Sequence, residues 1–384
     1  MKKPLVLIVF IVFLVFVGFG IVIPVMPDMV NSPSHLSWML AIYSLISFLV
    51  SPAWGALSDR IGRRPVLMIG LAGFAFSFLL FGLAGDRLWQ MYLSRILGGL
   101  FSGATTSCAV AYVADVSPEY HRTRNMGLVG MAIGLGFVFG PAIGGGLSVF
   151  GVEVPFYTAA GLTAATLALA WRQLPESLER SRLEQMPERT SRWAAFRGPV
   201  RMLYALSFVV SFSMAGLEAT LFYFLENRIR AGSFEIGIVL TVSGLVGAFV
   251  QGGVVRKWIR HGDEWRAIAV GLVLSAAGFW LLLETGSLAT AVLFTCVFGI
   301  GNALVRPCVM SLITLKSKAG QGTATGLNAS MDSLGRIVGP LVGGYLYVRH
   351  ADLPYALTGI VNLLSLGLVF GFLYMDRMAG RKAA

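Results

Sequence analysis

The chain has 384 residues, of which 56% are hydrophobic and only 13% are charged. Because soluble domains carry about 25% charged residues, this composition excludes a soluble globular fold. The formal net charge of +11 fits either a polyanionic partner such as nucleic acid or a membrane protein with one basic face.

Twelve apolar stretches follow one another along the chain. Each approaches the roughly 20 residues that a helix needs to cross a bilayer. They lie near residues 5–25, 36–57, 66–84, 88–113, 125–150, 155–173, 201–225, 235–255, 266–284, 288–314, 324–347 and 354–375. The sequence therefore predicts an all-α membrane protein with twelve transmembrane helices.

Basic residues are distributed unevenly among the loops between these spans. If both termini lie in the cytoplasm, 23 of the 30 Lys and Arg residues fall on the cytoplasmic side and four fall in the outer loops. Cytoplasmic loops of membrane proteins carry such an excess. The net charge therefore indicates membrane orientation, and we expect no nucleic-acid partner.

The first span follows Lys2 and Lys3 and so resembles the start of a signal peptide. Its apolar run is too long for a signal-peptide core, and it ends in IPVMPD, without a small-residue cleavage site. We therefore interpret it as a membrane span. The cysteines lie within spans and lack metal-binding spacing, which predicts packing roles and no metal site; they are Cys108, Cys296 and Cys308.

The loop after span two reads GALSDRIGRR. Its glycines, Gly55 and Gly62, permit a tight turn between two antiparallel helices. Asp59 is an anion suited to the positive N-terminus of another helix.

Span five contains GLVGMAIGLGFVFGPAIGGG, with eight glycines in residues 127–146. In water each interior glycine costs a helix about 1 kcal/mol relative to alanine, but in lipid small residues let helices approach closely. We expect this helix to bend and slide against a neighbour. Its pattern is Gly127, Gly136, Gly140, Pro141, Gly144 and Gly145, and it recurs 199 residues later at Gly326, Gly335, Gly339, Pro340, Gly343 and Gly344.

One long polar segment, LPESLERSRLEQMPERTSRWAAFRGP, separates spans six and seven. It predicts an N-terminal six-helix bundle (1–173), a cytoplasmic linker (174–200) and a C-terminal six-helix bundle (201–384). With the glycine repeat, this division predicts two pseudo-symmetric bundles, as in secondary transporters.

Two acidic residues, Glu218 and Asp332, fall well inside predicted spans. A charged side chain at a helix centre costs roughly 2.5–3.5 kcal/mol on insertion scales and so indicates a functional role. Glu218 lies about two-thirds along span seven, where an apolar surrounding disfavours the charged form of a carboxylate. It is therefore a candidate either to bind and release a proton or to neutralise a cationic substrate.

The intramembrane cations are Arg95, Arg306 and Arg336. Asp332 and Arg336 are four residues apart and share a helical face. This spacing predicts an ion pair, either one that only permits insertion or one that takes part in coupling. Arg306, in span ten, is expected at a similar depth, where it is a second candidate partner for Asp332.

With these motifs the chain resembles the major facilitator superfamily, in its twelve-span drug:proton antiporter branch. The loop after span two matches the signature GxxxDRxGRR, and the span-five glycines match the antiporter motif of that branch. LSRILGGLFSGA in span four resembles its arginine motif at Arg95, with Gly98 where members commonly carry glutamine. The signature positions are Gly55, Asp59, Arg60, Gly62, Arg63 and Arg64.

The resemblance implies that spans one, four, seven and ten line a central cavity. It implies that arginines of the signature pair with Asp115 and that this cluster latches the two halves on the cytoplasmic side. It also implies a cavity position for Arg306 and proton coupling through Glu218.

Asp332 and Arg336 depart from the family, whose members usually carry uncharged polar residues there, and Asn302 or Ala303 replaces an acid sometimes found before Arg306. We keep Asn302 as a cavity candidate, and Asp332, Arg95, Arg306 and Arg336 as further candidates for proton coupling. The phenylalanines expected to line an apolar pocket are Phe16, Phe137, Phe222 and Phe298.

The predicted function is proton-coupled export of amphipathic, cationic drugs by alternating access. We expect a monomer in a bacterial cell membrane, with a small-molecule substrate and protons as partners, the lipid bilayer around it, and no cofactor or metal. The alternative is an exporter or flippase of an anionic metabolite or lipid, because intramembrane arginines outnumber acids three to two. The sequence contains no HExxH, GxSxG or GxxxxGK[ST] motif, so we predict no enzyme activity.

Overall fold

The structure, a computed structural model, describes residues 3–117, 122–177, 198–255, 259, 262–316 and 321–383. These residues form helices and turns, with no strand among them. The helices before the linker are α1 (Lys3–Val22), α2 (Met26–Val30), α3 (Pro33–Ile61), α4 (Arg63–Gly82), α5 (Leu88–Val116), α6 (Arg122–Ser148) and α7 (Val154–Gln173).

The part of the chain after the linker is built in the same way. Helix α9 continues directly into a π-helical segment, Val250–Val255. The α-helices here are α8 (Val200–Ile229), α9 (Ser233–Phe249), α10 (Glu264–Leu282), α11 (Leu288–Lys316), α12 (Gln321–Arg349), α13 (Leu353–Leu364) and α14 (Leu366–Ala383).

These helices agree with the predicted spans to within a few residues. In the described part of the chain, eleven are long and apolar enough to cross a membrane, and the last of these runs through the break between α13 and α14. The remaining predicted span corresponds to α12, which has 29 residues and contains Asp332 and Arg336. The prediction of an all-helical membrane protein is confirmed.

Prolines explain one of the helix boundaries. Helix α1 ends at Val22 and α2 begins at Met26, with Pro24 between them. Proline lacks an N–H donor and disfavours helical conformation in the residue before it. Other prolines lie inside helices, where neighbouring membrane helices tolerate them; these are Pro52, Pro141, Pro307 and Pro340.

The chain forms two compact units. Unit 1 comprises Met1–Pro187 and Ala231–Thr241, and unit 2 comprises Glu188–Arg230 and Val242–Ala384. This division differs from the predicted pair of bundles at Ala231–Thr241, which includes the start of α9 and belongs to unit 1. There the Ser233 hydroxyl donates to Asp28 (Oγ to Oδ2, 2.9 Å), and Gly237 lies against Gly145 of α6.

In unit 1 the glycine motif packs α6 against α1. A Cβ added at Gly140 would lie 2.5 Å from the Cα of Gly20, so only glycine permits this approach. The motif positions in contact with α1 are Gly136, Gly140, Pro141 and Gly144. Gly127, the first position of the motif, lies outside the described side chains.

In unit 2 the second copy of the motif packs α12 against α8 in the same way. A Cβ at Gly335 would lie 2.7 Å from the carbonyl oxygen of Phe208, and one at Gly339 would lie 2.5 Å from that of Phe212. Gly216 of α8 meets α12 as Gly20 of α1 meets α6. The sequence repeat therefore produces a repeated helix interface.

We expect Gly140→Ala to lower the free energy of unfolding by about 1–3 kcal/mol, because the added methyl group meets backbone that has no room to move. Gly130→Ala is the matched control on the same helix, since nothing lies within 4 Å of a Cβ at that position. Thermal unfolding of both purified variants in detergent measures the difference. Equal melting temperatures of the two variants would contradict the role assigned to the glycine contact between α6 and α1.

Candidate functional site

Four charged side chains from three helices form a cluster in unit 2. Glu218 lies on α8, Arg306 on α11, and Asp332 and Arg336 on α12. Arg306 Nη2 lies 3.7 Å from Asp332 Oδ2. Both arginines also interact electrostatically with Glu218. The structure therefore brings together four residues that the sequence marks as charged side chains within apolar stretches.

Glu218 differs from Asp332 in its local contacts. Its side chain is only partly buried. Among the described residues it forms no hydrogen bond, and no arginine lies as close to its carboxylate as Arg306 lies to that of Asp332. Its carboxylate is thus compensated by nearby positive charge but remains free to bind a proton or a cation.

Asp332 accepts hydrogen bonds from polar side chains at the interface between α8 and α12. The Ser211 hydroxyl donates to its Oδ1 at 2.7 Å, and the Asn328 amide donates to its Oδ2 at 3.4 Å. The Ser207 hydroxyl in turn donates to Asn328 Oδ1 at 2.5 Å. These three residues were not predicted from the sequence, although Ser207 and Ser211, like Asn328 and Asp332, stand four apart and share a helical face.

The predicted ion pair between Asp332 and Arg336 is not present among the described contacts. Asp332 pairs with Arg306 instead. Four-residue spacing places two side chains on one face of a helix, but α8 and α11 both supply partners there. Arg306, the second candidate, therefore takes the carboxylate, while Arg336 interacts with Glu218.

In unit 1 the predicted cation Arg95 is almost completely buried on α5, with 4% of its surface exposed. Its guanidinium lies 4.7 Å from the centre of the Phe81 ring and 6.0 Å from that of Tyr43. Nη2 donates weakly to Ser94 Oγ at 3.4 Å, and Nε has no hydrogen-bond partner in the described structure. Aromatic faces thus stabilise this cation, and its role in coupling stays a prediction.

One of the four predicted cavity phenylalanines, Phe16, lines an apolar hollow, and a second, Phe137, packs against Phe16. Phe16 and Phe137 lie with ring centres 5.7 Å apart. Phe16 lines this hollow among α1, α5 and α6 together with aliphatic side chains such as Val12 and Val129. The hollow therefore offers apolar walls.

The other two predicted cavity phenylalanines are packing residues of unit 2 in this structure. Phe222 and Phe298 are only 3% and 2% exposed. Phe298 packs edge-to-face against Phe279, with ring centres 4.9 Å apart, and Phe222 packs against Tyr223. Asn302, one turn before Arg306 on α11, remains partly exposed.

The signature loop forms a second charged cluster, at the junction of α3 and α4. Arg63 is its centre: Nη1 pairs with Asp59 at 2.5 Å and Nε with Asp115 at 3.1 Å. Nη1 also donates to the Ser58 hydroxyl at 2.6 Å. We call Ser58, Asp59, Arg63 and Asp115 the Arg63 cluster.

The turn between α3 and α4 is made by Gly62 alone, so the predicted role of Gly55 in it is wrong: Gly55 lies within α3, with open space around its Cα. Of the other signature positions, Arg60 is exposed, and Arg64 donates to the Trp171 carbonyl.

The cysteines are packing residues, as their positions in the spans predict. All three thiols are free and buried. In the described part of the chain, no three His, Cys, Asp or Glu side chains are grouped so that they could hold a metal ion.

The chain matches known transporters along nearly its whole length. The profile of the Major Facilitator Superfamily matches residues 7–327 and 258–383. Multidrug resistance protein 2 of Bacillus subtilis is 30% identical over 362 residues, 91% of this chain and 90% of that protein. Quinolone resistance protein NorA of Staphylococcus aureus is 29% identical over 378 residues, 96% of each.

Solved structures show the same fold. The crystal structure of the human organic anion transporter MFSD10 (TETRAN) has a TM-score of 0.71 at 24% identity, covering 96% of this chain and 99% of that one. A bacterial homologue of the human lysosomal transporter Spinster, in an inward-facing and occupied conformation, has a TM-score of 0.75 at 15% identity, covering 98% of each chain. The chain belongs to the Major Facilitator Superfamily and is a multi-pass membrane transporter of small molecules.

Proposed function

We propose that this transporter exports amphipathic cations in exchange for protons and that Glu218 is the carboxylate for which the two compete. The proposal rests on the position and contacts of Glu218. This residue lies in a transmembrane helix and is partly exposed. Arginines lie nearby, but Glu218 itself makes no direct hydrogen bond or ion pair among the described residues.

In this proposal, the charges of the unit 2 cluster make binding of a proton and binding of a cationic substrate to Glu218 mutually exclusive. With both carboxylates ionised, Arg306 and Arg336 balance Glu218 and Asp332, and the cluster is neutral. Protonation of Glu218 leaves one positive charge, and binding of a monovalent cation to ionised Glu218 also leaves one. Both together leave two positive charges close to each other within the membrane span, which is disfavoured. Such competition is the elementary requirement of exchange.

The apolar hollow of unit 1 supports the amphipathic part of the proposal. Its walls come from Phe16 and aliphatic side chains, and the hydroxyls of its two threonines, Thr105 and Thr106, donate to carbonyl groups of α5. Hydrophobic walls with few polar groups bind apolar ligand surface without demanding one ligand shape. The names of the Bacillus and Staphylococcus relatives, a multidrug and a quinolone resistance protein, agree with this choice of substrate class.

We orient the chain with both termini in the cytoplasm. This places 23 of the 30 basic residues on the cytoplasmic side, as the positive-inside rule requires. It also places the Arg63 cluster and the linker on that side. Bacterial relatives support a bacterial cell membrane as its location, and we divide the chain into two six-helix bundles joined by the linker.

Export of an organic anion is the second candidate, and Arg95 is the observation that favours it. This buried cation has no carboxylate among its described contacts, so intramembrane positive charge exceeds negative charge. In that case protonation of Glu218 would add positive charge to the cluster and assist binding of an anion.

The two candidates predict opposite proton movements when substrate binds. We expect ethidium, an amphipathic cation, to release about one proton per bound molecule from the purified protein, because one carboxylate exchanges its proton for the dye. A pH indicator in weakly buffered detergent solution measures the release. An amphipathic anion such as fluorescein is the control ligand and is expected to release none. Proton uptake with the anion, and no release with ethidium, would instead establish the second candidate.

A further inference from the structure

The first residues after α7 are anchored to unit 1. Leu174 is 2% exposed. The Tyr112 hydroxyl of α5 donates to the carbonyl oxygen of Pro175 at 2.8 Å. The Ser177 hydroxyl donates to Asp115 Oδ2 at 3.2 Å. We call Leu174–Ser177 the linker strap, since these are the first residues of the predicted linker (174–200).

Within the strap, Glu176 caps the N-terminus of α4. Its Oε1 accepts from the backbone N–H of Arg63 at 2.9 Å, and its Oε2 accepts from that of Arg64 at 3.1 Å. These are the first two residues of α4, whose N–H groups have no partner within the helix. A carboxylate at this position also interacts favourably with the helix dipole.

Gly62 makes room for this cap. The N-cap position of α4 is Gly62, which has no side chain to offer. Its φ of 107° is rarely adopted by other residues, and a Cβ there would lie 2.5 Å from Glu176 Oε2. The glycine therefore serves both the turn and the approach of a carboxylate from the distant linker strap.

The linker strap contacts the Arg63 cluster at Arg63 and at Asp115. The guanidinium of Arg63 is held by Asp59 of α3 and Asp115 of α5, while its backbone N–H is held by Glu176. Ser177 reaches the same Asp115 oxygen that Arg63 Nε contacts. A displacement of the strap therefore alters both the backbone and the partner of Arg63.

We propose that Glu176 is a positioning residue of the transport cycle, which ties the linker to the Arg63 cluster and so sets the rate of turnover without contacting substrate. Glu176→Gln is the sharpest test. Glutamine has the same shape but only one acceptor oxygen, and its amide N–H groups repel the second backbone N–H. The matched control is Glu153→Gln, because Glu153 stands at the N-cap of α7 but makes no capping hydrogen bond there.

Cys108 reports on the cluster independently of any substrate. It is fully buried and lies beside Ser58. With Cys296 and Cys308 replaced by alanine, we expect Glu176→Gln to raise the rate of maleimide labelling of Cys108 about fivefold. The reason is that loss of the helix cap makes local opening around Cys108 more frequent. The control is expected to label at the parental rate. Unchanged labelling of Cys108 in Glu176→Gln would overturn the proposal.

Transport kinetics separate positioning from substrate binding and from general instability. For ethidium export from everted vesicles, we expect Glu176→Gln to lower the maximal rate about threefold to fivefold, in line with the labelling. The half-saturating concentration is expected to stay unchanged, and the melting temperature to fall by no more than about 4 °C. A change confined to the half-saturating concentration, or an equal effect of Glu153→Gln, would overturn the proposal. If the wild type exports no ethidium, the proposed substrate class fails, and the labelling experiment still decides the role of Glu176.

Discussion

Replacing Glu218 with glutamine is expected to abolish proton-driven export while leaving the protein folded. Glutamine resembles the protonated carboxyl group in shape and charge, so the variant is held permanently in the protonated form of the cluster. Arg306 and Arg336, which interact with Glu218, then lose their exchangeable counter-charge. Neither proton release nor attraction of a cationic substrate remains. We expect ethidium accumulation in energised everted vesicles to fall to the level of vesicles without the transporter.

The control for this variant lies on the same helix. Glu226, two turns after Glu218 on α8, is exposed, and Glu226→Gln is expected to transport at the wild-type rate. Expression and melting temperature of Glu218→Gln should match those of the wild type, because Glu218 makes no hydrogen bond among the described residues. Undiminished pH-driven transport by Glu218→Gln would remove Glu218 from the mechanism, whichever substrate the protein carries.

The architecture was accessible from the sequence because the bilayer imposes strong requirements. Each crossing needs about 20 apolar residues, so twelve such stretches predict twelve helices. Close packing in lipid requires small residues, so the recurrence of one glycine pattern after 199 positions indicates a repeated helix contact. The structure provides that contact twice, at Gly140 against Gly20 and at Gly339 against Phe212.

The members of the charged cluster were also accessible, because an ionised group in an apolar span is costly and therefore conspicuous. Their pairing was not. Sequence spacing suggested Arg336 as the partner of Asp332, whereas the structure pairs Asp332 with Arg306. Which of two nearby cations takes a carboxylate depends on how three helices pack, and that information is not local in the chain.

The direction in which apolar side chains point was equally inaccessible. Phe16 lines a hollow whereas Phe298 is buried against Phe279, yet neither of their spans shows a clear separation of a polar face from an apolar one. Helical periodicity identifies a buried face only when the opposite face is polar. The cap formed by Glu176 on α4 was missed for another reason, since 113 residues separate it from Arg63.

Asp332→Asn is expected to destabilise the protein, because it removes the carboxylate that Arg306 contacts directly (Nη2 to Oδ2, 3.7 Å), whereas Glu218 has no such close partner among the described residues. Removing one member of a buried ion pair costs about 3–5 kcal/mol. The Arg306 side chain is 52% exposed, so solvent screening reduces the expected loss to about 1–2 kcal/mol. Asparagine retains an oxygen that can accept from Ser211, so the loss reflects charge rather than a broken hydrogen bond.

Double variants identify which arginine is the partner of Asp332. Asp332→Asn combined with Arg306→Gln restores neutrality at the observed pair and is expected to recover most of the lost melting temperature. Asp332→Asn combined with Arg336→Gln restores the same net charge but leaves Arg306 without its partner, and is expected to recover less. Melting curves of the three variants in one detergent measure this difference. Equal recovery in both double variants would show that only net charge matters, and greater recovery with Arg336→Gln would restore the pairing that sequence spacing alone predicted.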